Sequence, residues 1–247
     1  MTPRIVAFTV DVEPDCPPFL SGYRGIEQGL PPLLDLLGRL GVHGTFFTTG
    51  EVAERYPEVP RTLIAAGHEL ACHGMTHRAF TSLSAEEARR ELSVSSEILR
   101  QHGSVTSFRA PYLRFPDAYV PLLEAHGFTL DSSQAIYKPA HWSRARSRTS
   151  IARVPASVTS SVLRIPRLLR EAYLSALSTP VVLFVHPWEF VDLRRERIRY
   201  DCRFRTGAEA LQCVDAVVRF FLAQQATFVR MRELVPPTRF APLPAPA

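Results

Sequence analysis

His73-Gly74-Met75-Thr76-His77 sets two imidazoles four residues apart. On a helical turn such residues share a face, and both rings can reach one divalent metal at about 2.0–2.1 Å. The spacing therefore predicts a helical turn presenting a metal-binding pair. Helix surfaces carry such pairs by chance, so the chemistry depends on what the chain brings to it. Thr9-Val10-Asp11-Val12-Glu13-Pro14-Asp15 is the first candidate. Side chains alternate along a strand, which puts Asp11 and Glu13 on one side. Two acids side by side need a cation or a shared proton. Either one carboxylate binds metal beside the histidines while the other stays free as a base, or both belong to a solvated turn.

Three further clusters follow apolar runs. In Phe108-Arg109-Ala110-Pro111-Tyr112 the arginine can hold a carboxylate and keep it ionised. Leu130-Asp131-Ser132-Ser133 places another acid at a strand end. Val181-Val182-Leu183-Phe184-Val185-His186-Pro187-Trp188-Glu189 ends an apolar strand in a histidine. His186 reads as a core residue, a metal ligand or an acid/base group. The other polar clusters favour the last. Trp188 is a platform for a sugar ring or a structural aromatic beside Pro187.

The elements that must position these residues alternate strand and helix. Strands are expected at Ile5–Val10, Thr45–Thr48, Glu69–Ala71, Ser107–Ala110, Phe128–Leu130, Val162–Ile165, Val181–Val185 and Thr227–Val229. Helices are expected at Ile26–Leu40, Pro57–Ala66, Ser84–His102, Pro116–His126, Arg167–Leu177 and Thr206–Gln225. Ser84 and Glu87 form a capping-box pattern, and Gly67 and Gly127 mark helix ends. Ser132–Pro155 reads as a long loop. Such alternation implies an α/β fold with a mostly parallel sheet, and some eight strands suggest a barrel with its chemistry at the C-terminal strand ends. Residues 1–235 read as a single domain and 236–247 as a disordered proline-rich tail.

The 247 residues are 46% hydrophobic, enough for a sizeable core, with no apolar run long enough to span a bilayer. No signal-peptide pattern opens the chain, so the expected location is cytoplasmic. Cys16, Cys72, Cys202 and Cys213 are scattered and read as free thiols. The net charge of +5 is nearly all arginine, Lys138 being the only lysine. Arg144/Arg146/Arg148 and Arg194 through Arg205 are dense. Without a nucleic-acid motif or interleaved aromatics, they read as solvated loops, or as contacts to a phosphate-bearing substrate or an anionic membrane face.

Acid pair, HxxxH, Arg109-Ala110-Pro111-Tyr112, Asp131-Ser132-Ser133 and strand-ending His186, in that order, resemble the polysaccharide deacetylases, carbohydrate esterases of NodB-homology type. Gly44-Thr45-Phe46-Phe47 is also similar, and the resemblance runs from Ile5 to about Leu234. It implies a distorted (β/α) barrel and metal-dependent hydrolysis of an N-acyl group on an amino sugar. Carried over, it makes His73 and His77 metal ligands, joined by one carboxylate of the first motif. By position Asp11 is the base and Glu13 the ligand, with the reverse assignment and Asp15 left open. Arg109 would orient the base and the Tyr112 backbone N–H would meet the oxyanion. His186 would protonate the leaving amine, with Asp131 where an acid tunes that histidine. Trp188 and Glu189 fall at the sugar. Zinc is the default metal, and cobalt, nickel, manganese or iron suit the same ligands. The implied substrate is an N-acylated amino sugar, which the arginines extend to a phosphate-linked one. Asp-x-Glu replaces the family's adjacent aspartates, and Ser132-Ser133 stands where a tryptophan is usual, which marks a divergent subfamily. Two other readings are a hydrolase of a ureide, cyclic amide or formamide, and an inactive carbohydrate-binding protein. The latter predicts a missing base, ligand or acid, and none is missing.

Overall fold

A computed structural model describes residues 3–138 and 149–235. Arg144, Arg146 and Arg148, and the proline-rich segment 236–247, lie outside the described residues. The strands are β1 (Ile5–Val12), β2 (Thr45–Thr48), β3 (Glu69–Cys72), β4 (Ser107–Phe108), β5 (Leu130–Asp131), β6 (Ala152–Arg153), β7 (Val181–Val185) and β8 (Thr227–Phe228). They form one sheet in the order β6-β5-β4-β3-β2-β1-β7, with β8 also on β1. All ladders between them are parallel. The sheet curls until Ser157 bridges its ends: the Ser157 amide donates to the Val182 carbonyl, and its hydroxyl accepts the Val182 N–H, each at 2.8 Å. This is a distorted, incompletely closed (β/α) barrel.

Helices α1 (Leu30–Leu40), α2 (Gly50–Arg55), α3 (Glu58–Ala65), α4 (Ala85–Arg100), α5 (Val120–Ala125), α6 (Arg167–Ser175), α7 (Tyr200–Arg203) and α8 (Ala208–Ala223) belong to the described residues. Ser84 and Glu87 close the capping box of α4 in both directions. Gly67 and Gly127 stop α3 and α5 at φ +79° and +72°, a conformation that costs glycine little.

Three expectations need correction. The Ile26–Leu40 helix begins with a π-helical turn, Gly25–Gly29, before α1. There a Cβ on Gly29 would stand 2.0 Å from the Pro187 carbonyl, so only glycine lets this turn reach the segment after β7. Val162–Ile165 is not a strand. Val162–Arg164 fall in a 3-10 turn, Ser160–Arg164, which Ile165 ends, and the eighth strand is β6, inside the expected loop. A short apolar run looks alike in a strand and a buried turn. Finally, His73–His77 is not helical. Gly74 and His77 adopt φ +78° and +55°, so the pair sits in an irregular loop after β3.

Two cores follow from the two-residue strand period. Val6, Phe8, Val10 and Val12 face the helices in the larger one. The barrel interior is narrow and holds Ala7, Phe47, Ala71, Leu130, Val182 and Met231. Inward rows thus run Ala7-Thr9-Asp11-Glu13, Thr45-Phe47, Glu69-Ala71-His73, Ser107-Arg109 and Val182-Phe184-His186. All but the Thr45-Phe47 row pass from a polar or apolar floor to a polar side chain at the C-terminal strand end.

Candidate active site

Those strand ends surround a cavity of about 360 Å³, whose lining includes Asp11, Glu13, His73, His77, Tyr112, Lys138, His186 and Trp188. Glu13, His73 and His77 are all buried, and their ligand atoms lie within 4.8 Å of one another. Glu13 Oε2 is 3.3 Å from His73 Nε2 and 2.6 Å from His77 Nε2. His73 Nδ1 lies 2.8 Å from the Arg109 carbonyl. A carbonyl only accepts, so Nδ1 carries the proton and Nε2 presents its lone pair to the cavity. That Nε2 is buried and makes no hydrogen bond. A buried orphan nitrogen facing a carboxylate and a second imidazole is a donor set that fits a divalent cation.

Burial alone would raise the Glu13 carboxyl. The positive fields of His77 and His186, and the close approach of the His77 ring, outweigh burial and hold it well below the usual carboxylate range. Trp188 Nε1 donates to Glu13 Oε1 at 3.0 Å.

Asp11 is held apart from this cluster. Arg109, fully buried, donates to Asp11 Oδ1 at 2.6 Å, to Thr9 Oγ1 at 2.8 Å and to Ser132 Oγ at 3.0 Å. Its guanidinium lies 4.1 Å over the Phe47 ring. One residue therefore orients both halves of the site, its side chain holding Asp11 and its carbonyl holding His73. Asp15 is not part of this cluster, and its two oxygens accept the Arg24 and Gly25 amides at 3.0 and 2.8 Å.

His186 pairs with Glu189, three residues on in the turn Pro187–Phe190, through Nδ1 and Oε1 at 2.7 Å. Burial would lower the imidazole. The Glu13 charge, then the Glu189 hydrogen bond and charge, override burial and push it up to about 9. Glu189 in turn lies 3.3 Å from Arg164 Nε, and Arg164 donates to the Asp201 and Phe204 carbonyls.

Three residues are placed differently from expectation. Asp131 does not touch His186. It accepts the Ser133 N–H at 2.9 Å and Arg153 Nε at 3.0 Å, while Ser133 Oγ accepts the Ala110 N–H at 2.7 Å. Asp131-Ser132-Ser133 is thus a brace for the Arg109 segment, because β5 lies beside β4 and away from β7. Glu189 is buried, with its carboxylate against His186 and Arg164. Trp188 is only 5% exposed and stacks on His186 at 4.7 Å, so it is no open platform. Tyr112 sits on the cavity wall at φ 60°, its ring edge-on to His77.

Glu91 and Arg164 escaped the sequence reading. Glu91 on α4 accepts the Met75 and Thr76 amides at 2.8 and 3.1 Å and so shapes the histidine loop. Its signal was an acid on the apolar face of α4, as Arg164's was a charge inside an apolar run.

Residues 1–130, just over half of the chain, match the family described as "Polysaccharide deacetylase". A peptidoglycan deacetylase of Helicobacter pylori is 29% identical over 145 residues, 52% of this chain and 49% of that protein. A chitooligosaccharide deacetylase of Sinorhizobium fredii is 30% identical over 138 residues, 53% of this chain and 60% of that protein. The chain thus spans about half the length of these curated relatives. A CE4 family pseudoenzyme from Bacillus anthracis shares the fold with a TM-score of 0.64 at 15% identity, over 94% of this chain and 66% of that one. A pseudoenzyme on the same fold leaves the decision about chemistry to the residues.

Proposed function

This chain belongs to the polysaccharide deacetylase family, and we propose that it is a hydrolase that removes the N-acetyl group of an amino sugar with a divalent metal held by Glu13, His73 and His77. What supports this reading is the meeting in one cavity of the Glu-His-His cluster, a separate arginine-held carboxylate, and a histidine with its own carboxylate. When bound, the metal supplies Lewis acidity toward the acyl oxygen and acidifies water. Zinc is the default for this donor set, and cobalt, nickel, manganese and iron suit it too.

Asp11 commits Oδ1 to Arg109 and accepts the proton of the attacking water at its other oxygen. Arg109 keeps that carboxylate aimed. The Tyr112 amide, on the cavity wall, meets the charge that develops on the acyl oxygen. His186, kept protonated by Glu13 and Glu189, gives its proton to the departing nitrogen, so acetate and a free amine result. The exposed rings of Phe19 and Tyr112 at the cavity offer apolar faces to the sugar. Lys138, on the same wall, is the group we assign to a phosphate on the substrate.

The test is acetate release by the metal-loaded protein from chitooligosaccharides, peptidoglycan fragments and phosphate-linked N-acetyl sugars. Release that stops on chelation and returns with metal is expected. No release from any of them rejects the reading.

A further inference from the structure

Large apolar side chains are exposed unevenly on this barrel. Among the described residues, Leu168 is 83% exposed and Leu169 65%, with Tyr200, Phe19 and Tyr112 also open, and Ile64, Tyr173 and Leu222 less so than the two leucines. The first five, which include the most exposed, lie at the cavity end. Phe19 and Tyr112 line the cavity, and Tyr200 follows Arg199, which also lines it. The direction of α6 places the two leucines. Arg4, just before β1, donates to the Leu174 and Leu177 carbonyls, which puts the C-terminus of α6 at the floor of the barrel. Its first turn, with Leu168 and Leu169, is therefore at the cavity end, just after the cavity-lining Arg164.

The same end carries surplus positive charge. Asp192, Asp201 and Glu196 are each paired with an arginine: Arg194, Arg199 and Arg24. Arg114, Arg195 and Arg197 are exposed and make no salt bridge among the described residues. Exposed leucines beside uncompensated arginines are the surface composition that suits an anionic lipid interface, where apolar groups enter among the headgroups and cations meet phosphates. Among the described residues no helix is long and apolar enough to cross a membrane, and a contact through this face is a peripheral one.

We propose that the cavity end of the barrel docks on an anionic lipid bilayer, with Leu168 and Leu169 entering the headgroup layer and Arg114, Arg195 and Arg197 lying against lipid phosphates. Docking does not depend on the deacetylase reading. If that reading holds, it brings the cavity to N-acetyl sugars carried on the membrane.

Co-sedimentation of the full chain with phosphatidylcholine vesicles, with and without phosphatidylglycerol, tests this. Binding to the anionic vesicles is expected, at least about tenfold weaker without phosphatidylglycerol and falling as salt rises. Leu168→Glu/Leu169→Glu and, separately, Arg195→Glu/Arg197→Glu should each weaken it about tenfold or more with unchanged thermal unfolding. No binding to anionic vesicles overturns the proposal, as does binding that both double variants retain. A dimer that both variants dissolve, without lipid binding, overturns it in favour of a second copy on this face. Acetate release is read separately and is untouched by these outcomes.

Discussion

Glu13 and Glu69 lie at opposite ends of the barrel interior and are almost equally buried, at 4% and 2% exposure. Their chemistry diverges. Glu69, on the floor, accepts from Thr45 Oγ1 at 2.7 Å, Ser107 Oγ at 2.6 Å and the Arg232 amide at 3.0 Å. Burial pushes its carboxyl up, and those donors offset the effect only in part. Glu13, at the cavity, faces histidines and is held well below the usual range. Burial penalises charge at both ends, and the charge of the partners decides the outcome. The floor is a closed polar plug. The cavity end keeps a carboxylate ionised with bare nitrogen beside it, as a cation site requires.

The sharpest way to break this comparison is to neutralise each acid. Glu13→Gln should lose metal affinity by more than the roughly 10–100-fold that a supporting group costs, and activity with it. Glu69→Gln should retain metal and turnover per folded molecule. Metal content and acetate release measure both, and equal losses would erase the distinction between the two ends. Next in size, Asp11→Asn should lower kcat by about 10²–10⁴-fold while metal content stays intact. Loss of metal instead would make Asp11 the ligand.

Glu189→Gln separates the acid from the metal cluster. His186, pushed up to about 9, donates only while protonated, so activity falls as pH rises through that value. Without the Glu189 charge the alkaline limb should move to lower pH. An unmoved limb in the pH–rate profile would mean that another group donates. The smallest effect concerns the floor. Burial, with the charges of His43 and Arg230, lowers His68 to about 4, and its Nδ1 accepts the Gly44 N–H at 3.0 Å. The native state then binds fewer protons than the unfolded chain between about 4 and 6.5, so this contribution to stability is full above about 6.5, is lost as pH falls through that window, and changes no further below about 4. His68→Gln should flatten that dependence in denaturant titrations.

Much of the cavity's membership was legible because strand periodicity is local. Asp11 and Glu13 share an inward row two residues apart, and Val181–Val185 announces His186 at its end. Long-range pairing was not legible. Asp131 stands where an acid could tune His186, but four strands lie between β5 and β7 in the sheet. Glu189, three residues from His186, takes that role through the turn after β7. The His73–His77 spacing carried the chemistry, while the helical turn inferred from it was replaced by a loop that Glu91 shapes from α4.

The sequence by itself determined the alternation of strand and helix, the inward placement of the polar strand ends, and the family pattern, since each depends on residue type and near-neighbour spacing. Only the tertiary structure decided which carboxylate faces the histidines, which is held by Arg109 and which is spent on backbone amides. Glu13, Asp11 and Asp15 lie within five residues of one another and are chemically alike. Their environments differ because β3 and β7 bring His77 and Trp188 to Glu13, β4 brings Arg109 to Asp11, and the chain folds back to set the Arg24 and Gly25 amides on Asp15.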